Sequence, residues 1–134
     1  MYTLKEILDM PYKKGRKFKV VNDEKYNTPI YVDEYGILRY EATEENIEMY
    51  GDNTIAINSN LLDWKFKIIK SYIPFHDAFN KWINENSTIC CDSIKGITEY
   101  YDGDASENDK MNVYLFYPID IAKGKWYINN EDFS

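Results

Sequence analysis

The first periodic signal in the chain is helical. Leu4, Ile7 and Leu8 fall on one stripe, and Thr3-Leu4-Lys5-Glu6 fits a capping box in which Thr3 and Glu6 satisfy each other's backbone amides. Pro11 ends that helix after about two turns, because its ring excludes the helical hydrogen bond. The pattern then changes to alternation. Phe18 and Val20 stand between Lys17, Lys19 and the Asn22-Asp23 turn, which predicts a half-buried strand. Further strands are predicted over 29–33 and 37–40, joined at Glu34-Tyr35-Gly36, and over 54–58 and 64–69. A short helix is predicted over 42–50, with Thr43 as cap and Gly51 as stop. The clearest helix is the second, near 75–85: Phe75, Ala78, Phe79, Trp82 and Ile83 share one face, and Pro74 suits the first turn. Strands follow over 87–91, 96–101, 111–117 and 125–128. Between the middle two, Asp102 to Asp109 is polar throughout and reads as a mobile hairpin tip.

The order of elements suggests that the chain says something twice. A shift of 71 lays Leu4 over Phe75, Ile7 over Ala78, Leu8 over Phe79, Phe18 over Ile89 and Val20 over Cys91. A shift of 60 lays 61–68 over 121–128, so that each half closes on a Lys-aromatic-x-Ile strand. The competing explanation is chance likeness between two short αβ segments. The predicted fold class is therefore α+β: two tandem helix-plus-antiparallel-sheet modules, 1–70 and 71–134, able to pack as one compact domain, with a possible internal repeat.

Composition narrows the partners. The chain has 134 residues, with 23 acids against 16 bases, and a formal net charge of −7 disfavours wrapping a nucleic acid. The imbalance sits in the second half. Residues 1–70 carry 11 bases and 12 acids, net −1, whereas 71–134 carry 5 bases and 11 acids, net −6. Cys90 and Cys91 are adjacent, so on a strand they point to opposite faces and cannot bridge each other. Without a disulfide framework, a signal peptide or an apolar run of the ~20 residues a membrane span needs, the expectation is a cytoplasmic protein with no membrane partner.

Candidate chemistry is sparse. Lys13, Lys14, Arg16, Lys17 and Lys19 form a basic cluster around Gly15, where cations and backbone amides can converge on an anion; otherwise they are a solvated turn and strand edge. It lacks the Gly-Lys-Ser/Thr end of a nucleotide-binding P-loop. Asp102, Asp104, Glu107 and Asp109 form an acidic loop that suits either solvent or a basic partner. It is no calcium loop, because Glu107 stands where the sharp turn wants Gly and Val113 where the bidentate Glu belongs. His76 is the only histidine, which leaves histidine-rich metal sites short of ligands. No metal, cofactor or catalytic set is expected, and the chain is read as a non-enzyme. Tyrosine is abundant at 13 residues, and Tyr100 and Tyr101, facing opposite ways beside the acidic loop, are candidates for a protein interface.

The run Phe75-His76-Asp77-Ala78-Phe79-Asn80-Lys81-Trp82, the short strand Thr88-Ile89-Cys90 and the terminal Gly124-Lys125-Trp126-Tyr127-Ile128 resemble small accessory proteins of phages and prophages of low-GC Gram-positive bacteria. The Gly-Lys turn that such proteins carry after the helix is Asn84-Glu85-Asn86-Ser87 here, a departure, while Lys14-Gly15-Arg16 in the first half keeps it better. The resemblance implies a counter-defence role, and two readings follow. In the first, the protein is an anti-CRISPR-type stoichiometric inhibitor. Asp102, Asp104, Glu107, Asp109, Tyr100 and Tyr101 would then dock on a host defence protein, one that handles nucleic acid. In the second, it is a sponge that holds an immune signalling nucleotide at Lys13, Lys14, Arg16, Lys17 and Lys19. A homodimer fits either.

Overall fold

The computed structural model describes residues 1–43 and 51–134, so most of the helix expected over 42–50 lies outside the described residues. Among the described residues there are five helices and two antiparallel sheets, an α+β architecture. The chain divides into two compact units: Met1–Ile69 with Phe133–Ser134, and Lys70–Asp132.

Unit 1 starts as its capping chemistry dictates. Helix α1 (Leu4–Asp9) is capped by Thr3: the Glu6 amide donates to Thr3 Oγ1 at 3.3 Å and the Thr3 amide to Glu6 Oε1 at 3.0 Å. That backbone hydrogen bond, joined by the Thr3 hydroxyl, holds the Glu6 carboxyl below its ordinary value. The helix ends at extended Met10, the conformation preferred before a proline. Strands β1 (Tyr2–Thr3), β2 (Phe18–Val20), β3 (Ile30–Val32), β4 (Leu38–Tyr40) and β5 (Lys65–Ile68) form one antiparallel sheet in the order β1-β5-β2-β3-β4. Short helix α2 (Ser59–Leu62) leads into β5, with Asn58 accepting the Asn60 amide at 2.9 Å. Phe18, Val20, Ile30, Leu38, Phe66 and Ile68 face one side, where Leu4, Ile7 and Leu61 cover them. The period of two then sends Lys19, Tyr31, Arg39, Lys65 and Lys67 to the other side.

The strand expected over 54–58 is reduced to one bridge, Thr54 opposite Arg39. Local polar groups turn the chain there: the Thr54 amide donates to Asp52 Oδ1 at 2.8 Å, and Asn58 is already committed as a helix cap.

Unit 2 is built on helix α3 (Phe75–Asn84) over strands β6 (Ile89–Asp92), β7 (Thr98–Tyr101) and β8 (Lys125–Ile128), in sheet order β7-β6-β8. Ala78 and Trp82 of the helix stripe are buried against Ile89, Cys91, Tyr101 and Trp126, with Phe75, Phe79, Tyr114 and Phe116 around them. Cys90 and Cys91 are both free and buried. Cys91 packs under the helix, and burial pushes its thiol up to about 12.

The strand expected over 111–117 is absent. Helix α4 (Glu107–Asn112) occupies its start, because Ser106 Oγ accepts the Asp109 amide at 3.1 Å and Glu107 and Asp109 favour a helix's positive end. The segment 102–109 is therefore not a hairpin tip. A further helix unforeseen in the alternation, α5 (Pro118–Lys123), begins on proline and feeds β8.

The two shifts seen in the sequence reappear as strand pairings. Tyr2 pairs with Phe66 as Ile73 pairs with Trp126, Phe18 with Ile68 as Ile89 with Ile128, and Val20 with Phe66 as Cys91 with Trp126. The internal repeat is not confirmed, however. Unit 1 adds the β3–β4 hairpin beyond its central strand, whereas unit 2 carries two helices before its closing strand.

Asp92 ties unit 2 together at the end of β6. It accepts from Lys70 Nζ at 3.0 Å, the Tyr72 hydroxyl at 2.8 Å and the Thr98 hydroxyl at 2.8 Å. Burial alone would raise its carboxyl, but these donors prevail and hold it below its ordinary value. Its stabilising contribution is therefore complete above the unfolded carboxylate value, about pH 4, and is lost as pH falls toward the lower folded value. Asp92→Asn is expected to flatten the acid limb of stability, measured as thermal midpoint between about pH 5 and pH 2. An unchanged acid limb would remove Asp92 from that role.

Candidate functional site

The acidic residues singled out in the sequence line one stretch of unit 2. Asp102 is placed by its neighbours: its carbonyl accepts Trp82 Nε1 at 2.8 Å, and its carboxylate accepts the Asp104 amide at 2.9 Å. Asp104 follows, and Glu107 and Asp109 sit in the first turn of α4; all four carboxylates belong to exposed residues.

The adjacent tyrosines separate. Tyr100 is 63% exposed, but Tyr101 is only 2% exposed, with its ring stacked on Phe116 at 4.5 Å and 8°. Tyr101 therefore leaves the candidate interface. Its hydroxyl donates to the Leu115 carbonyl at 3.3 Å, and burial raises the phenol above its usual range.

Tyr101 is replaced by a segment that sequence reasoning did not single out. After α4 the chain alternates: Val113, Leu115 and Tyr117 are 64%, 66% and 42% exposed, while Tyr114 and Phe116 turn toward the core. Among the described residues, the amides of Leu115 and Phe116 have no hydrogen-bond acceptor. The signal in the sequence was the apolar and aromatic run Val113 to Tyr117, which reads as a strand. The structure keeps the in–out alternation without a sheet partner. Lys95 Nζ lies 5.0 Å from the Tyr117 ring, so the strip's far end carries a cation–π contact. The result is an apolar strip adjoining a helix with two carboxylates in its first turn.

The basic cluster forms a different surface, in unit 1. Gly15 takes φ 83°, which a side chain would resist, and the Arg16 amide donates to the Lys13 carbonyl at 3.2 Å. A hollow of about 320 Å³ is lined by Tyr12, Lys13, Arg16, Lys17 and Tyr31, with Asp33 and Glu34 also on its wall. Lys14 and Lys19 do not line it. Its cations are partly engaged: Arg16 Nη1 donates to the Pro11 carbonyl at 2.9 Å, and Lys17 pairs with Glu41.

The remaining polar candidates are structural. His76 is exposed and shares a hydrogen bond with Asn80 at 3.2 Å. Buried Asp120 accepts from Ser93 Oγ at 2.6 Å, and its backbone carbonyl accepts Trp126 Nε1 at 2.9 Å. These bonds fasten α5 to the sheet. Among the described residues, no three His, Cys, Asp or Glu side chains come together as a metal-binding group. No described helix is long and apolar enough to cross a membrane.

Comparisons with protein-family models, curated proteins and solved structures returned no significant match.

Proposed function

We propose that the protein acts without turnover, by docking unit 2 on a basic surface of a partner protein. The observation that supports this most is the exposed strip Val113, Leu115 and Tyr117, which follows in the chain the short helix whose first turn carries Glu107 and Asp109. Exposed apolar side chains grouped in one short segment are unusual on a free surface and mark an interaction site. Unit 2 carries 6 bases and 11 acids, so its field favours a cationic partner and speeds the encounter. The resemblance to counter-defence proteins makes a nucleic-acid-handling defence protein the expected class of partner, and inhibition the expected outcome. The apolar strip would supply affinity, and the carboxylates rate and register.

Neutralising Asp102, Asp104, Glu107 and Asp109 to their amides should slow association severalfold and reduce its salt dependence. Folding should change by no more than about 1 kcal/mol, chiefly through the lost helix-end charges of Glu107 and Asp109. Neutralising Lys13, Lys14, Arg16 and Lys17 should do much less. The opposite ranking, measured by stopped-flow association at two salt concentrations, would overturn the docking reading.

A second reading has one observation of its own. The hollow at the 12–17 turn joins cations to Tyr12 and Tyr31, a combination that suits a small anionic ring compound such as a signalling nucleotide. Retention of a nucleotide through purification, lost on changing Lys13 and Arg16, would favour it.

A further inference from the structure

The outer face of the unit 1 sheet holds a set of charges that the docking reading does not use. Lys19 on β2 is paired directly with Lys67 on β5, and Lys65 lies two residues along the same face of β5. Directly paired residues on antiparallel strands have Cβ atoms about 5 Å apart, and i, i+2 neighbours on a strand are about 7 Å apart. Like charges placed this way repel and destabilise the sheet. The other cations on this face are neutralised: Lys17 pairs with Glu41, and Arg39 Nε with Asp33 Oδ2 at 2.7 Å. Among the described residues, the ammonium groups of Lys19, Lys65 and Lys67 make no ion pair and no hydrogen bond. Glu6 feels the charge of Lys65 but spends its carboxylate on the Thr3 amide.

These three lysines also share one concavity. A hollow of about 620 Å³ is lined by Lys19, Lys65 and Lys67 together with Asn22, Tyr26 and Asn27. Asp23 and Glu24 lie on its wall as well. Asp23 is tied into its own turn, with Oδ1 accepting the Lys25 amide at 3.1 Å and its carbonyl the Tyr26 amide at 3.1 Å. None of the residues lining the hollow at the 12–17 turn lines this one, so the two are separate sites.

We infer that Lys19, Lys65 and Lys67 form a binding site for the oligophosphate group of a small ligand. Lysine serves phosphate as a compact point charge with three donors, and three lysines whose strand positions are about 5–7 Å apart match a diphosphate or triphosphate better than a lone phosphate. A nucleic acid is a poorer fit, because so short a row of cations neutralises few backbone charges. Tyr26 gives the hollow one aromatic wall, its ring held 4.7 Å from that of Trp64. A base attached to the phosphates would therefore have a surface to rest on. The inference is independent of docking by unit 2, because no residue of unit 2 takes part.

The test is calorimetric titration of the full chain with inorganic triphosphate, pyrophosphate, phosphate and a nucleoside triphosphate, at low and at physiological salt. Saturable one-to-one binding is expected, tighter for triphosphate than for phosphate and weakened by salt. Lys19→Gln with Lys67→Gln should weaken triphosphate binding by about tenfold or more, since each lysine supplies charge-assisted hydrogen bonds. Lys13→Gln with Lys14→Gln should leave it unchanged. Without ligand, the Lys19→Gln variant should melt no lower than the parent, because a repulsion has been removed. Tighter binding of the nucleoside triphosphate, lost in Tyr26→Leu, would identify the source as a nucleotide; equal binding would identify free oligophosphate. The inference is overturned if triphosphate shows no saturable binding to millimolar concentration. It is equally overturned if binding survives the Lys19 and Lys67 changes, or if it depends on Lys13 and Lys14 instead.

Discussion

Replacing Trp82 with alanine is expected to remove about 3–5 kcal/mol of stability, a large part of what a protein of this size possesses. The indole is fully buried in the centre of unit 2, with Tyr114 and Phe116 at ring-centroid distances of 5.4 and 5.3 Å. Two polar attachments go with it. Its Nε1 donates to the Asp102 carbonyl at 2.8 Å, so its loss frees the chain that carries the acidic residues. The Lys110 ammonium, itself buried, loses the ring that lies 5.4 Å from it, although it keeps its hydrogen bond to the backbone carbonyl of residue 82 at 2.8 Å. Truncation thus opens a cavity beside a buried cation as well as an apolar void. Urea unfolding followed by circular dichroism measures the loss. A change under about 1 kcal/mol would mean that the stripe of α3 does not organise this core.

Gly103→Ala is expected to be nearly as harmful, at about 3 kcal/mol, although it adds one methyl group to a polar segment. A Cβ there would lie 2.2 Å from the Asn86 carbonyl oxygen, 2.4 Å from the Ser87 carbonyl carbon and 2.5 Å from the Thr88 nitrogen. All three are backbone atoms, so no side chain can swing away. The Gly103 amide also donates to Thr88 Oγ1 at 3.0 Å, and that contact breaks when the strands separate. Gly36→Ala is the informative comparison. Its Cβ meets nothing within 4 Å, and only the φ of 79° opposes it, at about 1–2 kcal/mol. Thermal melts of the two variants should rank Gly103→Ala below Gly36→Ala; the reverse order would contradict the packing described here.

Gly103 also marks the boundary of what could be read in advance. Its neighbours Asp102, Asp104 and Ser106 spell a solvated loop, and nothing local reveals that Asn86 to Thr88 press on the glycine. Close approach of distant backbone leaves no trace in composition. Patterns that depend on period and capping were legible. The Thr3 and Glu6 capping box, the α3 stripe and the closing strand at 125–128 all follow from residues a few positions apart. Where two local signals competed, strand propensity was misleading. Residues 111–117 are rich in strand-favouring Val, Tyr and Phe, but Ser106 and the acidic first turn nucleate α4 across their start, leaving an unpaired strip after it. Of the expected site residues, the four acids and Tyr100 were visible as exposed groups. Tyr101 was not separable from Tyr100, because which of two adjacent strand residues faces inward depends on where the helix packs. The lysine face was hidden for a further reason: Lys19 and Lys65–Lys67 meet only through the β2–β5 pairing, more than forty residues apart in the chain.

Docking of unit 2 on a partner protein through Val113, Leu115, Tyr117 and the four acids is open to direct measurement. The direct measurement is a comparative affinity purification from a host with an active defence system, followed by titration of whatever protein is retained. Three baits are compared: the parent chain, a variant with Val113, Leu115 and Tyr117 changed to serine, and a variant with Lys13, Lys14, Arg16 and Lys17 neutralised. Docking through the strip requires one basic partner held by the parent and by the lysine-neutralised chain, lost from the strip variant, and saturated at a fixed molar ratio. A partner held equally by the strip variant would contradict it, as would a retained small anion with no protein at all.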